Sequence, residues 1–275
     1  MLASLIKLAN KLDNNKQIDA ANKVDEMIVR LAATSTPDKI YSDLTSYAKD
    51  KEFDMEDHDW NEALISKNGI EKTRGQIRDY YTDNLDKIFP YIKDRDAIIL
   101  LGVSKNKTVL KRNIDEDGKR IHITDKLGKD NQNSLEYWIL RRAIEIHLIL
   151  QAKDNIVYID LDPTDEVSKL KAKKIVPRCE KVLQDLFPGA TIQAFSSGKT
   201  GIHVMAFLKN NVDIDEARDK LHDALDKEFE SEEDYTTKIA KPGQVRLDYT
   251  LNKRNGSVRA PYSFSVDGKA KLPLK

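Results

Sequence analysis

The chain has 275 residues, 40% of them hydrophobic, and can therefore bury a substantial core as one composite domain or two small ones. Its 46 basic and 46 acidic residues leave no net charge, which excludes a uniformly basic coat for nucleic acid but permits a local basic groove. The lone cysteine, Cys179, excludes an intramolecular disulfide and a zinc site built from cysteines. No apolar run approaches the roughly 18 residues that a membrane-spanning helix needs, and no signal-peptide pattern is present, so we expect a cytoplasmic protein without membrane contact.

The amino-terminal residues predict a helical hairpin over 2–32, because apolar residues recur at helical spacing on both sides of an Asp-Asn-Asn turn. Residues 34–67 are polar and contain an acidic cluster around Asp57 and His58, for which we favour a solvated turn over a metal site. We therefore predict that residues 1–67 form an accessory helical region. Its hairpin is a possible docking element for a protein partner.

Residues 70–150 alternate between helical and strand patterns. A helix is predicted over 70–89, ending near Pro90, because proline removes a helical hydrogen bond. Two strands are predicted over 97–103 and 108–110, followed by helical character over 133–150.

Residues 156–163 read Ile-Val-Tyr-Ile-Asp-Leu-Asp-Pro and predict a strand with two carboxylates on one face. Strand side chains alternate, so Tyr158, Asp160 and Asp162 share a face while the intervening apolar residues point to a core. The spacing suits two divalent cations, which activate an attacking oxygen and stabilise a leaving phosphate. A strand that simply ends in an Asp-Pro turn is the alternative.

The remaining elements follow in a regular succession. Thr164 is predicted to cap a lysine-rich helix, which Pro177 kinks or ends, and two strands follow over 192–195 and 202–208. A helix over 215–229 and a strand over 245–249 complete the order strand, helix, strand, strand, helix, strand, which is compatible with a split βαβ sheet.

A second chemical cluster lies between the two middle strands. Ser197, Gly198, Lys199 and Gly201 form a turn in which backbone N–H groups, a hydroxyl and a charge can hold phosphate, although the spacing is not that of a Walker loop. His203 begins the following strand and is either a ligand contact or a buried, hydrogen-bonded histidine.

The third cluster combines a strand carboxylate with downstream arginines. Arg246 and Asp248 share a strand face, so they form either a weak surface ion pair or, for Asp248, a third metal-binding position. Three carboxylates, a phosphate-holding turn and arginines together supply the groups that nucleotidyl transfer requires.

These motifs resemble the archaeo-eukaryotic primase superfamily, and most of all the polymerase domain of bacterial DNA ligase D. The matching segments are Glu145-Ile146-His147, Asp160-Leu161-Asp162-Pro163, Ser197-Gly198 with Gly201 and His203, and Asp248 with Asn252, Arg254 and Ala260-Pro261-Tyr262-Ser263. The resemblance is weak from about residue 80 and strong from about 139 to 274. Thr200 and Ser265 depart from it, because the family usually has basic residues at these two positions.

The resemblance implies an α+β primase-polymerase fold over residues 68–275. It comprises an amino-terminal αβ module over 68–150 packed on a catalytic module over 151–275 that resembles an RNA-recognition (RRM-like) fold, with the helical hairpin preceding both. The implied cofactors are two Mg²⁺ or Mn²⁺ ions, with no structural zinc. The implied catalytic and metal-binding residues are Asp160, Asp162 and Asp248, and the implied nucleotide-binding residues are His147, Ser197, Gly198, Lys199, His203 and Arg254.

The function expected from this resemblance is that of a DNA-directed primase-polymerase, a nucleotidyltransferase that joins NTPs or dNTPs to a primer, a gap end or a new primer on a DNA template. Roles in DNA replication and in DNA repair are both compatible with it. The alternative is a catalytically weak nucleic-acid-binding module of a replication or repair complex. A nicking initiator is disfavoured, because the His-x-His metal pair that it requires is absent from the sequence.

Overall fold

The computed structural model describes residues 63–67, 70–103, 108–115, 117–197 and 200–274. The predicted hairpin over 2–32, the acidic cluster around Asp57, and the predicted nucleotide contacts Gly198 and Lys199 lie outside the described residues. Strand β1 (Ala63–Lys67) pairs antiparallel with β2 (Ile70–Thr73), and the predicted module boundary after residue 67 falls inside this hairpin.

Helix α1 (Arg74–Ile92) begins four residues later and ends three residues later than the helix predicted over 70–89. It begins later because Thr73 and Gln76 form a reciprocal capping box, and residues 70–73 pair with β1 instead. It also continues past Pro90, which lies in its last turn. The buried Ile88 and Ile92 flank that proline, and their burial offsets the one hydrogen bond that proline removes.

The sheet that we call the second sheet has the order β12-β6-β3-β4, with β5 also pairing β3. Every pairing in it is antiparallel. Its strands are β3 (Arg95–Val103), β4 (Thr108–Arg112), β5 (His122–Ile123), β6 (Ala143–Ile149) and β12 (Ser257–Arg259).

The helical pattern predicted over 133–150 is wrong for most of its length. Helix α2 (Leu135–Leu140) is short, and β6 begins three residues after it, beyond Arg142, whose φ of 72° lies in the left-handed region. Strand β6 does alternate in sequence, because Ile144, Ile146 and Leu148 share one face while Glu145 and His147 share the other, although nearly all of its residues are buried. It follows the helical residues of α2 within one largely apolar stretch, and a run this short is ambiguous between helix and strand.

The sheet that we call the first sheet has the order β10-β11-β7-β9-β8. Its strands are β7 (Lys153–Pro163), β8 (Thr191–Ser196), β9 (Ile202–Asp213), β10 (Tyr235–Thr236) and β11 (Val245–Asp248). Helices α3 (Glu166–Leu186) and α4 (Ile214–Phe229) pack against this sheet and against each other. The predicted succession of strand, helix, strand, strand, helix, strand is therefore present, with β10 as an added edge strand.

Helix α3 differs from its prediction at two positions. Its cap is Asp165, which accepts a hydrogen bond from Ser168 N, whereas the Thr164 hydroxyl donates to the carbonyls of residues 241 and 244. The helix continues through Pro177. Proline inside a helix costs about 3 kcal/mol, whereas each large side chain buried by α3 contributes about 1.5–3 kcal/mol. These side chains include Ile175, Val182 and Leu183.

The carboxy-terminal segment joins the two sheets. After β12, residues 260–274 turn back, and Pro273 forms a bridge with Phe195 at the edge of β8. Tyr81 on α1 donates to the carbonyl of Ile144 and contacts the Ser263 hydroxyl. One hydrophobic cluster includes residues of both sheets. Within the described ranges, no helix has both the length and the apolar character needed to cross a bilayer.

Candidate active site

Three polar side chains form a row across neighbouring strands of the first sheet. In the antiparallel register, Asp160 on β7 lies opposite Asp248 on β11 and opposite His203 on β9. Residues directly opposite in a sheet share a face, with Cβ atoms roughly 5 Å apart. Asp162 lies on the same face, opposite Arg246. The structure therefore brings the three predicted carboxylates onto one surface.

Asp160 is the least satisfied group in this row. Its Oδ1 atom accepts no hydrogen bond from any described residue and lies 3.4 Å from Nε2 of His203. Burial, followed by repulsion from Asp162 and Asp248, raises the pKa of Asp160 to about 8, against the attraction of Lys271. A carboxylate in this state favours a cation as its partner.

Asp248 already has partners. Its Oδ2 atom lies 3.0 Å from Nη2 of Arg246, and its Oδ1 atom accepts hydrogen bonds from N and Oγ1 of Thr250 at 2.8 and 2.6 Å. The ion pair that the sequence left open is therefore present. Among the residues that the structure describes, no group of three His, Cys, Asp or Glu side chains is placed to hold a metal ion.

The predicted phosphate-holding turn closes beside Asp162. Ser197 N donates to Gly201 O at 2.8 Å, and Gly201 N donates to Ser197 Oγ at 3.0 Å. A Cβ atom at Gly201 would lie 2.8 Å from the carbonyl oxygen of Leu161 and 3.3 Å from Oδ1 of Asp162. Only glycine therefore fits at this position, and Thr200 beside it is exposed.

His203 is buried, as one of its two interpretations predicted, and its Nε2 atom lies 3.4 Å from Oδ1 of Asp160. Its Nδ1 atom has no hydrogen-bond partner among the described residues. Burial, followed by the charges of Lys271 and Arg259, lowers the pKa of His203 well below its ordinary value. These effects favour the neutral form of the imidazole.

On the second sheet, Glu145, His147 and Arg259 form a closed network. Arg259 Nη2 lies 3.0 Å from Glu145 Oε1, and His147 Nε2 lies 2.8 Å from Glu145 Oε2. Burial raises the pKa of Glu145, but His147, Arg259 and the N–H of Val266 outweigh it and lower that pKa to about 2. Burial lowers the pKa of His147, against the effect of Glu145. Arg259 also donates to the carbonyl of Ser197 and so ties this network to the phosphate-holding turn.

A cleft of about 290 Å³ lies between these groups. Its lining comprises His147, Tyr158, Asp160, Asp162, Ser197, Thr200, Gly201, His203, Leu251, Ser257, Val258 and Arg259. Arg254 is exposed and does not line this cleft. Asp248 lies opposite Asp160 in the strand register but is not among the lining residues either.

Asn252 has a structural position in this site. Strand β11 ends at Asp248, which lies opposite Asp160. Because the two strands are antiparallel, Tyr158, two residues before Asp160, therefore has no backbone partner on β11. The buried Asn252 amide takes that place, because its Oδ1 accepts from Tyr158 N at 3.0 Å and its Nδ2 donates to Tyr158 O at 2.6 Å. This residue of the sequence motif therefore fixes the strand that carries the aspartates.

Sequence reasoning missed Lys271, whose side chain is fully buried. Its Nζ atom donates to the carbonyl of Arg259 at 2.6 Å and contacts Sδ of Met205 at 3.2 Å. Nothing in the sequence indicated this burial, since a lysine in a polar carboxy-terminal segment is expected to be exposed to solvent. Glu145 did leave a signal, because Glu145 and His147 share one face of a strand. Arg259 left none, because its position opposite His147 is set by the register of β12 on β6.

The fold and the site define an α+β protein in which a row of carboxylates on one sheet faces the Glu145–His147–Arg259 network on another across a cleft. The comparisons narrow this class. The family described as LigD, primase-polymerase domain, matches residues 73–272, and the chain belongs to that family. A search of curated proteins found no match.

A solved structure agrees in fold. The chain is similar to the polymerase domain from Mycobacterium tuberculosis ligase D in complex with DNA, with a TM-score of 0.64 and 17% sequence identity. The match covers 79% of this chain and 85% of that one. The resemblance seen in the sequence is thereby confirmed, as is the mixed α+β architecture.

Proposed function

We propose that the chain is a DNA-directed primase-polymerase, which transfers nucleotidyl groups from NTPs or dNTPs to a primer, a gap end or a new primer. The observation that carries this proposal is the position of Asp160, with an unpartnered carboxylate oxygen, in one cleft with Asp162, the Ser197 turn and two histidines. Membership of the LigD primase-polymerase family supports the same reaction class.

The chemistry of the Asp160 and Asp162 carboxylates suits a divalent cation, although the described side chains do not form a group of three metal ligands. Carboxylate oxygens are the ligands that Mg²⁺ and Mn²⁺ prefer, and a cation would satisfy the Oδ1 atom of Asp160. Asp160, Asp162 and Asp248 would hold the ions, with Asp248 exchanging its contact to Arg246 for this role. Two such ions, when bound, polarise the attacking hydroxyl and stabilise the leaving pyrophosphate.

The chain's own groups bind and orient the nucleotide in this proposal. The Ser197 hydroxyl, which accepts from Gly201 N, donates to the phosphates, and Gly198 and Lys199 keep their predicted nucleotide contacts. His203 and His147 lie beside the sugar and phosphates as neutral hydrogen-bonding groups. Arg254 keeps its predicted nucleotide contact only if its exposed loop moves toward the cleft.

The architecture proposed for this activity has two modules. Residues 151–275 form the RRM-like catalytic module, whose open sheet face carries the aspartates, and residues 68–150 form the amino-terminal module. Residues 1–67 act as an accessory region that docks a protein partner. DNA as template and primer is supported by the similar ligase D domain, which was solved in complex with DNA.

The test supplies labelled NTPs or dNTPs with Mn²⁺ to primed, gapped and unprimed templates. We expect incorporation by the unaltered chain, and none by Asp160→Ala or Asp162→Ala, with DNA binding retained in both variants. Products confined to gaps with a 5′ phosphate indicate repair synthesis, and products on bare single strands indicate priming.

A second candidate is a catalytically weak nucleic-acid-binding module. It is favoured by the engagement of Asp248 with Arg246 and Thr250 and by the lack of a three-ligand metal group among the described residues. DNA binding without incorporation on any template, in Mg²⁺ or Mn²⁺, would establish this candidate and reject the polymerase.

A further inference from the structure

Among the described residues that line the cleft, Arg259 is the side chain with a permanent positive charge. Arginine stays protonated at physiological pH, whereas burial lowers the pKa of His147 and of His203, the other basic groups of the lining. Arg254, for which the sequence motif implies a nucleotide contact, is exposed and lies outside the lining. Within the described cleft, Arg259 is therefore the fixed positive charge available to an anionic ligand.

Two contacts hold the guanidinium of Arg259 at the phosphate-holding turn. Its Nη1 atom donates to the carbonyl of Ser197, and its Nη2 atom donates to Oε1 of Glu145 at 3.0 Å. Ser197 is also the residue whose hydroxyl closes the turn by accepting from Gly201 N. A phosphate that accepts a hydrogen bond from this hydroxyl would therefore lie next to the guanidinium.

The guanidinium of Arg259 keeps donors for a ligand. An arginine side chain has five N–H groups, and the Ser197 carbonyl and Glu145 each accept from one of them. The Nε atom is buried and has no hydrogen-bond partner among the described residues. Buried donors normally have acceptors, so a partly satisfied guanidinium at the wall of a cleft is suited to an anion.

Glu145 orients this guanidinium without occupying all of it. Arg259 contacts the carboxylate through Nη2 alone, so the pair is not the bidentate kind that uses a whole edge of the guanidinium. The carboxylate is also shared, because Oε1 accepts from Val266 N at 2.6 Å and Oε2 lies 2.8 Å from Nε2 of His147. The second sheet thus fixes where the positive charge stands and leaves it able to bind a second anion.

We propose that Arg259 binds the triphosphate of the incoming nucleotide and that Glu145 holds its guanidinium beside the Ser197 turn. This inference rests on the proposed function of the cleft and adds a residue that no sequence motif assigned to the nucleotide. Arg259 is a binding residue, because it touches the substrate. Glu145 is a positioning residue, because it acts through Arg259.

The proposal predicts effects of opposite sign for the two members of the pair. Loss of the Arg259 charge removes an attraction for the triphosphate, so ATP binds more weakly. Loss of the Glu145 charge alone removes a repulsion, while glutamine still accepts a hydrogen bond from the guanidinium, so ATP binds more tightly. If the pair were merely structural, breaking it from either side would weaken ATP binding.

The experiment measures the binding of ATP and of inorganic tripolyphosphate at saturating Mn²⁺ by isothermal titration calorimetry. The chain carrying both Arg259→Met and Glu145→Gln has lost both charges, so no lone buried charge destabilises it. We expect this double variant to bind both ligands about tenfold more weakly than the unaltered chain. We expect Glu145→Gln alone to bind both about threefold more tightly.

The matched control is Arg178→Met on α3. Arg178 also pairs with glutamates, Glu228 at 2.8 Å and Glu232 at 2.6 Å, but it does not line the cleft. Its substitution should change the binding of neither ligand. Arg259→Lys keeps the positive charge but not the fork of donors, and should bind ATP more tightly than the double variant does.

Further outcomes separate the possible failures. If the double variant does not fold, Arg259→Gln, which removes the charge and keeps a donor for the Ser197 carbonyl, takes its place. Unchanged binding in the charge-removing variant, weaker binding in Glu145→Gln, or no binding of either ligand by the unaltered chain overturns the role of Arg259, even if nucleotides are incorporated. A chain whose ATP binding depends on Arg259 as expected, but which incorporates nothing on any template, overturns the proposed polymerase and not this role.

Discussion

The buried carboxylates on the two faces of the cleft, Glu145 and Asp160, differ in their hydrogen-bond partners and in their pKa values. On the second sheet, both oxygens of Glu145 have partners, namely His147, Arg259 and the N–H of Val266, at 2.6–3.0 Å. On the first sheet, Oδ1 of Asp160 accepts no hydrogen bond from the described residues, although the side chain is only 18% exposed. Burial raises the pKa of both carboxylates, but His147, Arg259 and the N–H of Val266 lower that of Glu145 to about 2, whereas Asp162 and Asp248 add to the effect of burial and raise that of Asp160 to about 8.

This difference separates a structural carboxylate from one available to a ligand. A buried polar network with all its groups satisfied holds one geometry without help. A buried carboxylate without donors destabilises the free chain and gains from a cation. Substitutions on the two faces should therefore have opposite consequences for stability and activity.

The largest expected effect is on activity at the first sheet. Asp160→Asn should lower nucleotide incorporation about 10⁴-fold, since the carboxylate that holds the cation is lost. The free energy of unfolding at pH 8 should not fall, because asparagine needs no buried charge. Primer extension and urea unfolding measure the two effects, with the exposed Asp185→Asn as control. A destabilised but active variant would contradict the comparison.

On the second sheet, stability should be lost instead. Arg259→Met leaves Glu145 buried without its main cation and should lower the free energy of unfolding by about 3–5 kcal/mol. The control is Arg246→Met, which breaks the more exposed pair with Asp248 and should cost about 0–1 kcal/mol. Equal losses in urea unfolding would show that the network on the second sheet is not the stabilising one.

The pH dependence of the free energy of unfolding tests whether Glu145 stabilises the fold as an ionised carboxylate. Its pKa is lowered in the folded chain, so its stabilisation is complete above the unfolded pKa of about 4.3 and is lost as pH falls through about 2. The unaltered chain should exceed Glu145→Gln by about 3 kcal/mol at pH 5 and by about half of that at pH 3. Exposed Glu230→Gln should show no such change. A gap independent of pH would contradict the assignment.

The smallest effect concerns the strand that carries Asp160. Asn252→Ala leaves the buried N–H and carbonyl of Tyr158 without their partners and should cost about 1–3 kcal/mol. Asn252→Asp retains the acceptor only and should give an intermediate loss in urea unfolding. An unchanged stability would mean that β7 does not need this side chain beyond the end of β11.

Features that depend on residues close together in the sequence, such as strand faces and turns, could be predicted from the sequence. Contacts between residues far apart in the sequence could not. Alternation placed Asp160 and Asp162 on one face, and turn chemistry placed glycine at 201. The helix predicted over 133–150 was wrong for most of its length because the short helix α2 and the short strand β6 follow each other within one largely apolar stretch, where short runs are ambiguous between helix and strand. The end predicted near Pro90 lies two residues before the end of α1, and Pro177, predicted to kink or end its helix, does not end it, because packing of neighbouring apolar residues outweighs the local penalty of proline.

The sequence by itself determined the family, the order of the elements in residues 151–275 and the residues of the carboxylate row, because these depend on spacing along the chain. Only the tertiary structure decided the register that sets Asp248 and His203 beside Asp160, the partners of Asp248 and the burial of Lys271. The physical reason is that electrostatic interactions depend on distance and burial, and these are fixed when residues far apart in sequence pack together.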